Sequence, residues 1–178
     1  GWCVFLLSAA IVWGAAAQAA AEEAVPRTKA EIEALLGAAQ KGEPDAMFSV
    51  GVLTLSGRLK GLERDEAVKL IEAAAEAGNQ DAAYLAGSLY LKGDAVPKDP
   101  ARAAAFYEQA ADEGHAGAQT ALAQLYLKGE GVTKDVGKAR MLLEKAASLG
   151  LPAAQLNLGV LYISGEGGAR NPERGTEL

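Results

Sequence analysis

The sequence predicts an all-α chain built as a stack of antiparallel helix pairs. Three observations carry this: glycines that recur every 36 residues, alanine, leucine and tyrosine columns with the same step, and apolar residues at helical spacing between them. Gly57, Gly93, Gly129 and Gly165 form one glycine column, and Gly42, Gly78, Gly114 and Gly150 form another. Ala46, Ala82, Ala118 and Ala154 keep the step, as do Leu53, Leu89, Leu125 and Leu161, and Tyr90, Tyr126 and Tyr162. So does the pair Ala38 and Ala39, through Ala74 and Ala75, Ala110 and Ala111, to Ala146 and Ala147. A fixed period in the range of about 20–50 residues marks an array of small units, each too poor in apolar surface to fold alone.

The chain opens on a segment outside this pattern. Residues 1–21 contain no Asp, Glu, Lys or Arg, and Trp2–Trp13 is the most apolar run. Small residues at the −3 and −1 positions before Ala19 and Ala21 suit signal-peptidase cleavage after either one, so 1–21 is expected to be a secretory signal. The apolar block is about a dozen residues against about 20 for a spanning helix; an uncleaved anchor is the alternative. With no initiator Met and no basic leader, the chain reads as trimmed at its N-terminus. Cys3 lies inside the segment and reads as a small hydrophobe of its apolar run. Residues 22–27 are expected to be a linker.

The array then begins with a half unit at 28–44, where Thr28 and Glu31 have the spacing of a capping box. Units follow at 45–80, 81–116 and 117–152, with a truncated fourth at 153–178. In the unit at 81–116, Ala82, Ala86, Leu89 and Tyr90 fall on one face of a helix. Gly93 ends that helix, because a left-handed residue after the last turn is cheapest as glycine. Asp99-Pro100 starts the next, the carboxylate accepting from a free N–H and proline fixing the first turn. Asp135 and Asn171-Pro172 recur at that place, and Gly114 closes the second helix. The alanine pair at 110 and 111 is expected to be buried, its methyl groups letting helix axes approach while Leu and Tyr fill the space between units.

Composition narrows the function. Asp and Glu outnumber Lys and Arg by 23 to 17, a formal charge of −6, whereas nucleic-acid and anionic-lipid binders neutralise phosphates with cations. Nucleic acid is therefore excluded as the main partner, and the membrane enters only through an uncleaved N-terminal segment. One His and one Cys supply neither a His/Cys zinc site nor an internal disulfide. No catalytic, cofactor or metal residues are assigned.

Stretches such as Ala154-Gln155-Leu156-Asn157-Leu158-Gly159-Val160-Leu161-Tyr162-Ile163-Ser164-Gly165-Glu166-Gly167 are similar to the Sel1-like repeat, a relative of the tetratricopeptide repeat with a longer internal loop. So is the stretch from Ala118-Gln119 through Tyr126-Leu127-Lys128-Gly129-Glu130-Gly131-Val132-Thr133-Lys134-Asp135 to Lys138-Ala139 and Glu144-Lys145-Ala146-Ala147. The match runs from about residue 28 to the C-terminus. The first unit departs from it, with Thr54 where Tyr is usual and Arg58-Leu59-Lys60-Gly61-Leu62 in the loop; the fourth ends just after Asn171-Pro172. The resemblance implies a right-handed α-solenoid acting as an adaptor, with the first helix of each pair lining an inner curve that holds a protein or peptide. Columns not used for packing then project Ser49, Val52 and Ser56; Leu85, Ser88 and Lys92; Ala121, Gln124 and Lys128; and Asn157, Val160 and Ser164 onto that curve. The expected role is a non-enzymatic scaffold of the bacterial envelope, exported to the periplasm. A membrane-tethered assembly factor for an envelope polysaccharide or secretion machine is the alternative.

Sharper readings of single residues are weaker. Only Asn157 occupies the column through which related grooves clamp a carboxylate. Lys92 and Lys128 precede glycines, where a cation complements the helix dipole; an acidic partner segment is the other reading of the two. His115 is expected in a turn between units, the three tyrosines in the core, and Glu63, Glu66, Glu72 and Glu76 on solvated faces. Some cysteine-rich relatives have been called β-lactamases, but such chemistry uses a Ser with a Lys three residues on. None of Ser8, Ser49, Ser56, Ser88, Ser148 or Ser164 has one.

Overall fold

Thr28 opens the first helix through its capping box. Its hydroxyl accepts from the Glu31 N–H at 3.2 Å and its own N–H donates to the Glu31 carboxylate at 3.1 Å. The computed structural model describes residues 28–176; the expectations for 1–21 and 22–27 lie outside the described residues. The helices are α1 (Lys29–Gln40), α2 (Pro44–Leu55), α3 (Arg64–Glu76), α4 (Gln80–Lys92), α5 (Pro100–Asp112), α6 (Ala116–Lys128), α7 (Val136–Ser148), α8 (Pro152–Ser164) and the short α9 (Pro172–Thr176). No strand occurs among the described residues.

The caps that the sequence announces are the ones that form. Asp99 accepts from the N–H groups of Ala101 and Arg102, Asp135 from Lys138, and Asn171 from Arg174, each at 2.9–3.0 Å. Gly93, Gly129 and Gly165 take left-handed φ of 70–79° and donate back to the carbonyls of Leu89, Leu125 and Leu161. The loops beyond them return alike: the N–H groups of Asp99, Asp135 and Asn171 donate to the carbonyls of Tyr90, Tyr126 and Tyr162. One loop geometry therefore repeats and sets the angle at which each second helix folds back.

Helices pack in chain order, each against the one before and after it. The result is an α-solenoid of helix pairs α2/α3, α4/α5, α6/α7 and α8/α9, with α1 covering the first. Its core runs along the stack in two connected stretches, α1 to α6 and α6 to α8. The Ala46 and Leu53 columns are buried throughout, and Ala74, Ala110 and Ala146 have no exposed surface. The tightest approach within a pair falls at a column the alanine argument overlooks. A Cβ on Gly51 would lie 2.5 Å from Ile71, and one on Gly87 would lie 2.7 Å from the Tyr107 ring. Ala123 continues that column, and Ala67, Ala103 and Ala139 face it, all fully buried. No helix among the described residues is long and apolar enough to cross a membrane.

Candidate partner-binding face

The projected residues lie on the first helices of the pairs, α2, α4, α6 and α8, and are not equally available. Ser49, Ser56 and Ser164 donate their hydroxyls to the carbonyls of Asp45, Leu53 and Leu161 at 2.7, 3.0 and 3.3 Å. Leu85 and Ala121 are half-buried and pack on the core. Ser88 corrects the expectation: it is buried, only 8% exposed. The accessible members are the half-buried Val52 and Asn157 and the exposed Ser56, Lys92, Gln124, Lys128, Ser164, and Val160 at 57%. Together they form a mixed surface of aliphatic, amide and ammonium groups. The hydroxyls add little, since the helix carbonyls already occupy them.

Two ion pairs at the neighbouring loops tie successive units. Arg64 pairs with Asp94 at 2.7 Å and Lys98 with Glu130 at 2.9 Å, each joining one unit to the next. Lys98 holds the Glu130 carboxyl below the usual carboxylate range. Lys92 and Lys128 close α4 and α6 at the basic end of the stripe, while Asp45 of α2 and Asp81 of α4 sit in the first turns, at the opposite end. Asp45 accepts from the Asn79 amide at 2.7 Å, and Asp81 lies 3.3 Å from His115 Nε2.

The tyrosine column does more than fill space. Tyr90 is buried, yet its phenol donates to Glu72 on α3 and accepts from Arg102 on α5. Arg102 also reaches Glu72 at 3.0 Å, and its guanidinium lies 4.2 Å from the Tyr90 ring centre. Tyr162 repeats the plan with Glu144 at 2.9 Å and with Arg140 and Arg174 over its ring. Lys138 stands over Tyr126 at 5.3 Å. Burial, and then the Glu72 carboxylate, push the Tyr90 phenol up. Glu72 is thus not merely a solvated glutamate, and the signal was present: Glu72, Glu108 and Glu144 are 36 apart, as are Arg102, Lys138 and Arg174. Tyr90→Phe removes a phenol bonded to two charged groups and should cost about 1.5 kcal/mol in urea melts; no change would mean that the bonds are satisfied equally by water.

His115 is more than a turn residue. It is the N-cap of α6, its Nδ1 accepting from the Ala118 N–H at 3.0 Å, with its ring stacked 4.7 Å from Tyr84. Asn79 caps α4 in the same way, accepting from Ala82 at 2.7 Å. Burial raises the Tyr84 phenol, and the His115 hydrogen bond lowers the Asp81 carboxyl. Among the described residues no three His, Cys, Asp or Glu side chains gather as metal ligands would.

Comparison with known proteins agrees with this geometry. The Sel1 repeat family model matches residues 44–79, 80–115, 116–151 and 152–178. Among solved structures, the chain is similar to a protective antigen of uropathogenic Escherichia coli strains that displays an SLR fold. That likeness has 31% identity and a TM-score of 0.77, covering 82% of this chain and 31% of that one. It is also similar to a Sel1 repeat protein from Oxalobacter formigenes, at 26% identity and a TM-score of 0.79, over 85% of this chain and 62% of the other. The chain therefore spans less than two thirds of the length of either. Helicobacter pylori cysteine rich protein B shares the fold at 24% identity and a TM-score of 0.56, over 71% of this chain and 90% of that one. No curated protein matches the sequence.

Proposed function

Because the chain belongs to the Sel1 repeat family, whose members generally mediate protein–protein interaction, we propose that it is a non-enzymatic adaptor holding a protein or peptide on the face of α2, α4, α6 and α8. The observation that carries this reading is the contrast between columns. Packing columns such as Ala46 and Leu53 repeat unchanged from unit to unit and are buried, whereas the accessible positions read Val52, then Gln124 and Val160 in one column and Ser56, Lys92, Lys128 and Ser164 in another. Packing needs shape alone, so columns such as Ala46 and Leu53 keep one residue in every unit. A surface that recognises something must differ along its length.

Exposure chooses the test. Leu85 supports the core, so charging it would confuse binding with folding, whereas Val160 and Lys128 stand clear of it. Val160→Glu combined with Lys128→Glu should abolish co-purification of a partner from an envelope fraction while leaving the far-UV circular dichroism unchanged. Capture undiminished in the double variant would put the binding surface elsewhere. Export is part of the proposal and is supported by the charge-free residues 1–21. N-terminal sequencing of the mature protein should begin at Ala20 or Glu22. An intact segment recovered with membranes would favour the tethered assembly factor instead.

A further inference from the structure

We propose that the junction between the pairs α4/α5 and α6/α7 is an acid-sensitive element, with the imidazole of His115 as its switch. The same place in the preceding junction is held by Asn79, whose amide caps α4 and reaches back to Asp45. His115 imitates both contacts with a ring: Nδ1 takes the Ala118 N–H at 3.0 Å, and Nε2 faces the Asp81 carboxylate at 3.3 Å. Only one protonation state makes both. Nδ1 must carry a lone pair to accept from Ala118, so in the neutral ring the proton sits on Nε2, the nitrogen 3.3 Å from Asp81. An asparagine amide has no such condition.

A second proton on the ring has nowhere to go but Nδ1. There it meets the Ala118 N–H, donor against donor, at the positive end of the α6 dipole, and the cap is lost. The titratable groups facing the ring are Asp81 and Tyr84 from α4, with Tyr107 of α5 behind Tyr84 at 5.7 Å between ring centres; α6 contributes only the Ala118 N–H. Asp81 gains a full ion pair when the ring is charged. Its side chain is 63% exposed, so solvent screens that gain, while the lost cap is internal to the helix start. Gly117 leaves the ring its place, since a Cβ there would lie 2.9 Å from His115 Cε1. The tyrosine stack also keeps the ring from swinging freely. Acidification therefore loosens the first turn of α6 at one junction of the array and not at the one before it.

The two junctions make an internal comparison. Amide hydrogen exchange of the whole chain at pH 7.5 and pH 5, corrected for intrinsic rates, is read at Ala118 and at Ala82. Protection of Ala118 should fall about fivefold relative to Ala82 on acidification, the equivalent of one lost N-cap. In His115→Asn the ratio should stay constant with pH and resemble the neutral wild type. Parallel behaviour of Ala118 and Ala82 in the wild type overturns the proposal, as does a fall that survives in His115→Asn. The wild-type comparison stands even if that variant folds poorly.

Discussion

Gly131→Ala should lower the stability of the array by about 3 kcal/mol, as the sum of two separate costs. The first is conformational: Gly131 has φ of 74°, and a left-handed residue with a Cβ costs about 1–2 kcal/mol. The second is steric. A Cβ on Gly131 would fall 2.2 Å from the Pro100 carbonyl oxygen and 2.7 Å from the Ala101 nitrogen. These are backbone atoms in the first turn of α5, which carries the Asp99 cap, so they cannot step aside as a side-chain tip could; overpacking of this kind costs about 1–3 kcal/mol. Gly167 repeats the situation, its Cβ position 2.6 Å from the Val136 carbonyl oxygen. The unit before them gives the complementary experiment, because Ala95 stands in the same column with φ of 63°. Ala95→Gly should raise stability by about 1 kcal/mol, less than the full strain because glycine also loosens the unfolded chain. Urea melts at neutral pH measure both. A neutral Gly131→Ala would mean that the loop stands off α5 at no cost, contrary to the contact.

These loops show what was legible in the sequence. The glycine columns, the aspartate caps and the alanine and leucine columns could be read because local backbone geometry dictates each one, and the same geometry recurs every 36 residues. The Glu72, Tyr90 and Arg102 cluster was harder, since its members come from three helices and only the fold brings them together. Their columns share the period, yet nothing in one helix says that a glutamate half a unit away will meet a phenol. Ser88 was misplaced for a more particular reason. Where the neighbouring units carry Ile71 and Leu143, α5 carries Tyr107, a larger side chain whose ring lies against Gly87, next to the buried Ser88. His115 as a cap was also readable in principle, because Asn79 stands one period earlier. The partner face is a different kind of problem. Its residues vary between units, and a repeat pattern carries no information about columns that do not repeat.

Ile71→Ala should cost about 3 kcal/mol, as expected for emptying a fully buried aliphatic site. Ile71 has no exposed surface and fills the space that Gly51 leaves open on α2, where a Cβ would lie 2.5 Å from Ile71 Cγ1, 3.1 Å from Cδ1 and 2.9 Å from the Ala67 carbonyl oxygen. Gly51→Ala alone sets two effects against each other: about 1 kcal/mol gained in helix propensity and about 1–3 kcal/mol lost to the clash. The net expectation is a loss of about 1 kcal/mol. The third pair already contains the accommodated version, Ala123 opposite Leu143, both fully buried. That pair shows that a leucine at this place accepts a methyl on the facing helix. Gly51→Ala combined with Ile71→Leu should therefore recover most of what Gly51→Ala loses, a coupling of about 1 kcal/mol in a double-mutant cycle. Strict additivity would show that residues 51 and 71 do not touch, and α2 and α3 would have to be rotated from the phase described. A recovered double variant would show instead that each pair in the array solves one packing problem, a large side chain against a small one, with interchangeable parts.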